Sequence, residues 1–275
     1  MNKPLSRIQL NTISDVRSET VQSQHMVMRA MRKVPELTFY FWIIKLLTTA
    51  FGESASDTMV NHLDPVIAVA LGGIGLVVAL ILQLTVRRYV AWIYWFAVVM
   101  VAVFGTMAAD VIHVVLGVPY LISTIGFSIA LAVIFVVWYI TEKTLSVHSI
   151  YTRRRELFYW ATVMTTFALG TAAGDMTAST LNLGFLASGI LFGVLFALPA
   201  LGYWLLGLNE ILAFWFAYIM TRPFGASFAD WLGRPADAGG IGLGRAQVTL
   251  ALAVLIIGFV GYLTVTRKDI KVEER

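Results

Sequence analysis

Cysteine is absent from the 275 residues, which excludes disulfides, thiolate metal sites and cysteine nucleophiles. Histidine occurs only at His25, His62, His113 and His148, too sparsely for an imidazole-rich centre. No HExxH, GxSxG, CxxC or glycine-rich nucleotide loop is present. Charge is scarce as well. Asp, Glu, Lys and Arg make up 13% of the chain, where a soluble domain carries about 25%. So few charges cannot cover a water-facing surface of this size, and a soluble enzyme is excluded. Residues 1–35 are polar and lack the apolar core of a cleavable signal peptide.

What the chain has instead is apolar sequence: 59% hydrophobic residues and a mean hydropathy of +0.79. Runs at or above the roughly 20 residues that cross a bilayer recur along it. Eight spans are expected, at about 36–59, 64–86, 89–116, 119–141, 155–180, 184–206, 208–232 and 246–266. The fold class is therefore an all-α integral membrane protein. A polar segment 1–35 precedes a transmembrane domain 36–266, and a charged tail, 267–275, follows it. Two connections are long, the charged 142–154 and the glycine-rich 233–245. All Lys and Arg except Lys45, Arg222, Arg234 and Arg245 fall on one side of this arrangement. By the positive-inside rule that side, with both termini, is cytoplasmic.

The odd-numbered spans repeat one pattern without gaps: an aromatic-Trp pair, nine residues, Gly, four residues, Asp. The copies are Phe41-Trp42, Gly52, Asp57; Tyr94-Trp95, Gly105, Asp110; Tyr159-Trp160, Gly170, Asp175; and Phe214-Trp215, Gly225, Asp230. The chain thus reads as four αα-hairpins over about 36–88, 89–154, 155–207 and 208–266, each a motif helix followed by a plain apolar one. The steps between successive Asp residues also group the copies two plus two. A two-span unit preserves orientation, so the motif helices run parallel and are related by an axis along the membrane normal. A pseudo-fourfold ring of motif helices with the even spans facing lipid follows.

Trp42, Trp95, Trp160 and Trp215 are expected as interfacial anchors of an aromatic belt. Gly52, Gly105, Gly170 and Gly225 are expected to let helices approach closely. The aspartates carry the chemical interest, because ionisable groups inside spans are costly. Asp57, Asp110, Asp175 and Asp230 at matched depth would form an acidic ring, the device by which cation pathways select ions. The bland alternative is that each Asp caps a turn, although a pure cap would tolerate Asn or Ser and all four copies hold Asp. Glu53 precedes Asp57 by one turn and shares its face. Lys45 and Arg222 each need a carboxylate or water inside the membrane. Glu53 or a motif Asp is the natural partner of Arg222, and a neighbouring helix or bound water that of Lys45. They form either static ion pairs or a coupling device in which a cation or proton competes for the carboxylates. Pro223 is expected to kink its helix. Oxygen donors favour Mg, Mn or Ca; an Asp/His site with His62 and His113 is the alternative.

The stretches KVPELTFYFWIIKLLTTAFGESASD, FYWATVMTTFALGTAAGD and LNEILAFWFAYIMTRPFGASFAD resemble a bacterial family labelled only as uncharacterised membrane-anchored proteins, over residues 33–266. The resemblance implies an eight-span bacterial inner-membrane protein and carries no activity. The leading functional expectation is a cation transporter or channel, for a divalent metal and proton-linked, with a bound divalent cation as a candidate and no other cofactor indicated. A metal-dependent intramembrane enzyme acting on lipid, and a sensor or scaffold that does not transport, are the alternatives. The expected partners are the lipid bilayer and an inorganic cation, with no nucleic acid; a homo-oligomer is left open.

Overall fold

The computed structural model describes residues 32–270. Residues 1–31 and 271–275, with most of the N-terminal segment, His25 and the end of the tail, lie outside the described residues. Among the described residues there are eight long helices and no strand: α1 Phe39–His62, α2 Pro65–Thr85, α3 Ala91–Asp110, α4 Tyr120–Glu142, α5 Arg153–Asp175, α6 Gly184–Leu206, α7 Glu210–Gly233 and α8 Arg245–Thr266. α3 and α5 each run on as one π-helical stretch, Val111–Val115 and Met176–Thr180. Start signals are local. Thr38, Thr152 and Asn209 cap α1, α5 and α7 through their side-chain oxygens, and Asp64 caps α2 with Pro65 at its first turn. α7 continues as helix through Pro223.

Five of the helices, α2, α3 with its extension, α4, α6 and α8, are long and apolar enough to cross a membrane. Those five mark a membrane protein. α1, α5 and α7 have similar length but more polar sequence, and the packing explains why. The motif helices close a ring: α1 packs on α3, α3 on α5, α5 on α7 and α7 on α1. Polar residues in the middle of α1, α5 and α7, such as Lys45, Thr48, Glu53, Thr166, Thr171 and Arg222, are buried. The even helices lie around it and expose large apolar side chains such as Ile74, Ile129, Val194 and Val254. Each even helix packs most extensively on the motif helix of the next copy, α2 on α3, α4 on α5, α6 on α7, and α8 back on α1. The hairpin of the sequence is thus not the tightest pair in space, since the partner that buries each outer helix belongs to the following repeat.

The motif residues make the ring. An added Cβ at Gly52 would meet Ala102 at 2.5 Å, and one at Gly105 would meet Phe167 at 2.9 Å. At Gly170 it would collide with Arg222, and at Gly225 with Thr49. Each glycine therefore rests on the next motif helix, against the residue three positions before that helix's own glycine. The aromatic pairs follow the same cyclic order. Phe41 packs on Trp95 at 5.6 Å between ring centroids, Tyr94 on Trp160 at 5.7 Å, Tyr159 on Trp215 at 6.3 Å and Phe214 on Trp42 at 5.8 Å. This corrects the expectation of an aromatic belt. Trp95, Trp160 and Trp215 are buried, and Trp42 is half-buried against Phe196 and Phe214. An indole between two helices of a closed ring meets the neighbour's aromatic ring before it can reach a headgroup.

The end of the ring beyond the aromatic layer is closed by the connections. Lys33 pairs with Glu156, which also accepts from Gln83 Nε2 at 3.0 Å, all three buried. Leu145 in the 143–152 connection accepts from Trp215 Nε1 at 2.9 Å. Asp269 accepts from the Tyr89 hydroxyl. Burial pushes the Asp269 carboxyl above its ordinary value, although the Tyr89 bond works in the other direction.

Gly225→Ala is expected to cost about 1–3 kcal/mol, because the added methyl lands on Thr49 with no room to yield. Gly258→Ala, on the outer helix α8 with open space around it, is expected to be neutral or slightly stabilising. Apparent thermal stability in detergent compares the two.

Candidate functional site

The ring axis is layered by sequence position. Above the aromatic layer sits Lys45, from the position held by Val98, Val163 and Tyr218 in the other copies. Lys45 is 1% exposed, and its Nζ has no hydrogen-bond partner among the described residues. It lies over the faces of Phe167 at 4.2 Å and Tyr218 at 3.9 Å. Of the partners expected for Lys45, no carboxylate of a neighbouring helix reaches it among the described residues, and two ring faces stand there. The reason is geometric: every carboxylate of the ring sits at or beyond the glycine level, at least two turns further along the helix.

Arg222 forms the next layer. It occupies the position of Thr49, Ala102 and Phe167, three residues before the motif glycine, and is 1% exposed. Its Nη2 donates to Glu53 Oε2 at 2.7 Å, to Thr171 Oγ1 at 2.7 Å and to Thr106 Oγ1. Its Nη1 reaches the Thr49 carbonyl at 3.4 Å. Glu53, Thr106 and Thr171 are all the residue after the motif glycine, and the fourth copy has Ala226 there. One guanidinium from copy four thus spans the axis to the equivalent position of the other three copies. The small Ala226 leaves it room.

The carboxylates stand above this layer. Glu53, Asp57 and Asp230 can each bring one oxygen within 4.8 Å of the others. Asp110 and Asp175 hold the matching motif position on α3 and α5 and fall outside this close group. No motif Asp side chain bonds a backbone amide among the described residues, so turn capping does not account for any of the four. Asp57 pairs with Arg245 Nε at 2.9 Å, and Asp230 with Arg234 Nε at 2.7 Å and Nη2 at 3.2 Å. Burial works against the charge of Arg234, just past the end of α7, but Asp230 more than offsets it, and Asp57 and Glu53 add to the same effect. The result is a pKa above the ordinary arginine value. Asp110 and Asp175 make no ion pair among the described residues, and each is followed directly by a π-helical stretch. Such stretches recur at functional sites.

Three of the five carboxylates, Glu53, Asp57 and Asp230, pair with Arg222, Arg245 and Arg234, and Asp110 and Asp175 have no guanidinium partner among the described residues. The chemistry therefore divides the ring into an arginine-paired half, copies one and four, and an unpaired half, copies two and three. The Asp-to-Asp steps group the copies differently, because they record loop length and not side-chain partners. The Arg222–Glu53 pair is the one expected from the sequence, whereas the roles of Arg234 and Arg245 are not. The Asp230–Arg234 spacing of four was the available signal; Arg245 had none, since it reaches Asp57 from the far end of the chain.

The histidines stand apart. His62 is exposed and turned to the Thr58 carbonyl at 2.8 Å. His113 approaches the Val118 carbonyl at 3.0 Å and packs on the Tyr120 ring. No cluster of potential metal donors includes either one among the described residues. The Asp/His alternative is thus not assembled.

Removing one partner of a buried pair leaves the other charge stranded. Glu53→Gln is expected to lose about 3–5 kcal/mol, and Glu53→Gln with Arg222→Met to recover most of that loss. A double-mutant cycle on apparent melting temperature in detergent checks it.

The repeat of unknown function DUF347 matches this chain four times, over residues 40–89, 93–144, 158–207 and 213–269. No curated protein and no solved structure matches. Each matched stretch holds one motif helix and the outer helix after it, and together they cover most of the sequence; the chain belongs to the DUF347 repeat family.

Proposed function

We propose that this is an integral membrane transporter for a divalent cation, proton-linked, which loads its ion at the acidic end of the four-helix ring. All eight helices span the membrane in this reading, with the basic side and both termini in the cytoplasm of a bacterial inner-membrane protein. Three polar motif helices then cross the bilayer only because the apolar outer helices shield them. The acidic end faces outward, where its field draws cations in.

The observation that carries the reading is the carboxylate layer itself. Glu53, Asp57 and Asp230 bring oxygens within 4.8 Å of one another, and Asp110 and Asp175 at the same motif position have no guanidinium partner among the described residues, which suits one divalent ion with hard-oxygen preference such as Mn, Mg or Ca. Glu53, Asp57, Asp110, Asp175 and Asp230 would supply the ligands. A carrier fits better than an open pore, because Arg222, Lys45 and the aromatic layer block the axis one after another. Arg222 then acts as a tethered counter-cation that holds Glu53 when the ion is away.

Asn at Asp110 or Asp175 is expected to cut Mn2+ flux into proteoliposomes by at least about tenfold, a loss on the order of 1.4 kcal/mol or more in ion or transition-state binding. Asn at Asp57 or Asp230 also frees a guanidinium, which adds repulsion to the lost ligand. Normal flux in all four variants would overturn the proposal.

A further inference from the structure

Lys45 is the one charged group of the ring interior that the carboxylate layer does not use. The Phe167 face from α5 and the Tyr218 face from α7 hold the nitrogen, and no oxygen among the described residues bonds it. The other charged or titratable groups around this part of the axis are Arg222 on α7, Glu53 a little over two turns up α1, and the phenols Tyr94 on α3 and Tyr159 on α5. The two phenol hydroxyls bond one another. Of the outer helices packed on α1, α2 carries no ionisable side chain, and α8 carries only Arg245 at its start and Tyr262 near its end. A helix interior seldom holds a lysine without an anion, and such lysines mark ion or proton pathways.

Phe167 links this lysine to the ion site. Lys45 Nζ sits 4.2 Å from the ring centroid, and the Arg222 guanidinium carbon sits 5.6 Å from the same centroid. Two basic side chains thus share one aromatic ring, and Arg222 is held by Glu53 at 2.7 Å together with the Thr106 and Thr171 hydroxyls. A divalent ion in the carboxylate layer competes for Glu53. The guanidinium then loses its counter-charge and moves its full repulsion onto Lys45 through a dry interior, where charges act on each other far more strongly than in water.

We propose that Lys45 is the proton carrier of this transporter: binding of a divalent cation above Arg222 expels the proton from Lys45, and reprotonation of Lys45 lets Arg222 return to Glu53 and release the ion. This rests on the cation reading above and adds the coupled ion and the residue that carries it. In the loading step the N–H bond breaks with its electron pair left on nitrogen, and the proton goes to solvent. The exchange is an antiport in which Lys45 accounts for one proton per cation. Arg222 transmits the competition and never titrates.

Isothermal titration of the purified full-length protein with MnCl2, in buffers of different ionisation enthalpy across about pH 6–8.5, counts the protons released on binding. The wild type is expected to release protons, and Lys45→Met to release up to about one fewer at the same pH while still binding Mn2+. Lys45→Arg, which keeps its charge at every pH, is expected to bind Mn2+ at least about tenfold more weakly. Lys45→Gln serves as a second neutral variant, with elution volume and tryptophan emission as fold controls. Equal proton counts in the wild type and both neutral variants would overturn the Lys45 assignment and leave the ion site standing. Absence of Mn2+ heat in the wild type would overturn the ion site itself.

Discussion

The structure depends on backbone contact between successive motif helices. Each motif glycine rests on the next helix three residues below that helix's own glycine, and the fourth rests on the first. That one contact, made four times, fixes helix spacing, register and closure together. No larger residue could stand there without opening the ring. Once the helices are this close, the aromatic residue of one copy must meet the Trp of the next. The position after each glycine must likewise face the shared axis.

Symmetry of the backbone makes asymmetry of the side chains meaningful. The position three before glycine reads Thr49, Ala102, Phe167 and Arg222, and the position after it reads Glu53, Thr106, Thr171 and Ala226. A fourfold frame brings these eight side chains to one place. A single guanidinium can then span a layer that one carboxylate and two hydroxyls complete. In the same frame Lys45 stands where the other copies have Val98, Val163 and Tyr218, and it faces two rings. An unrepeated charge set inside a repeated scaffold is how a pseudo-symmetric bundle acquires one site where a symmetric one would have four.

The outer helices answer to a different constraint. They are apolar around most of their circumference and bury little, so their role is to separate the polar ring from what lies outside. Packing each one on the following repeat, with α8 returning to α1, interlocks the copies. A hairpin that packed only on itself would leave four units free to separate. The same interlock explains why the three motif helices with polar interiors look unlike membrane segments by composition while standing among segments that do.

Much of this was legible in the chain. The absence of cysteine, the shortage of charge and the long apolar runs settle the class. The gapless spacing of aromatic, Trp, Gly and Asp settles the number of copies and places the helices within a few residues of where they lie. These are local properties, set by composition and by the 3.6-residue period. Which side chain meets which was not legible. That Lys45 faces rings and not a carboxylate, that Arg234 and Arg245 neutralise Asp230 and Asp57, and that the tryptophans turn inward all depend on closure of the ring. Closure joins residues up to about 190 positions apart, such as Asp57 and Arg245, and one chain read in order holds no record of that distance. Sequence fixed the parts and their spacing, and tertiary structure alone decided which charges were left without a partner.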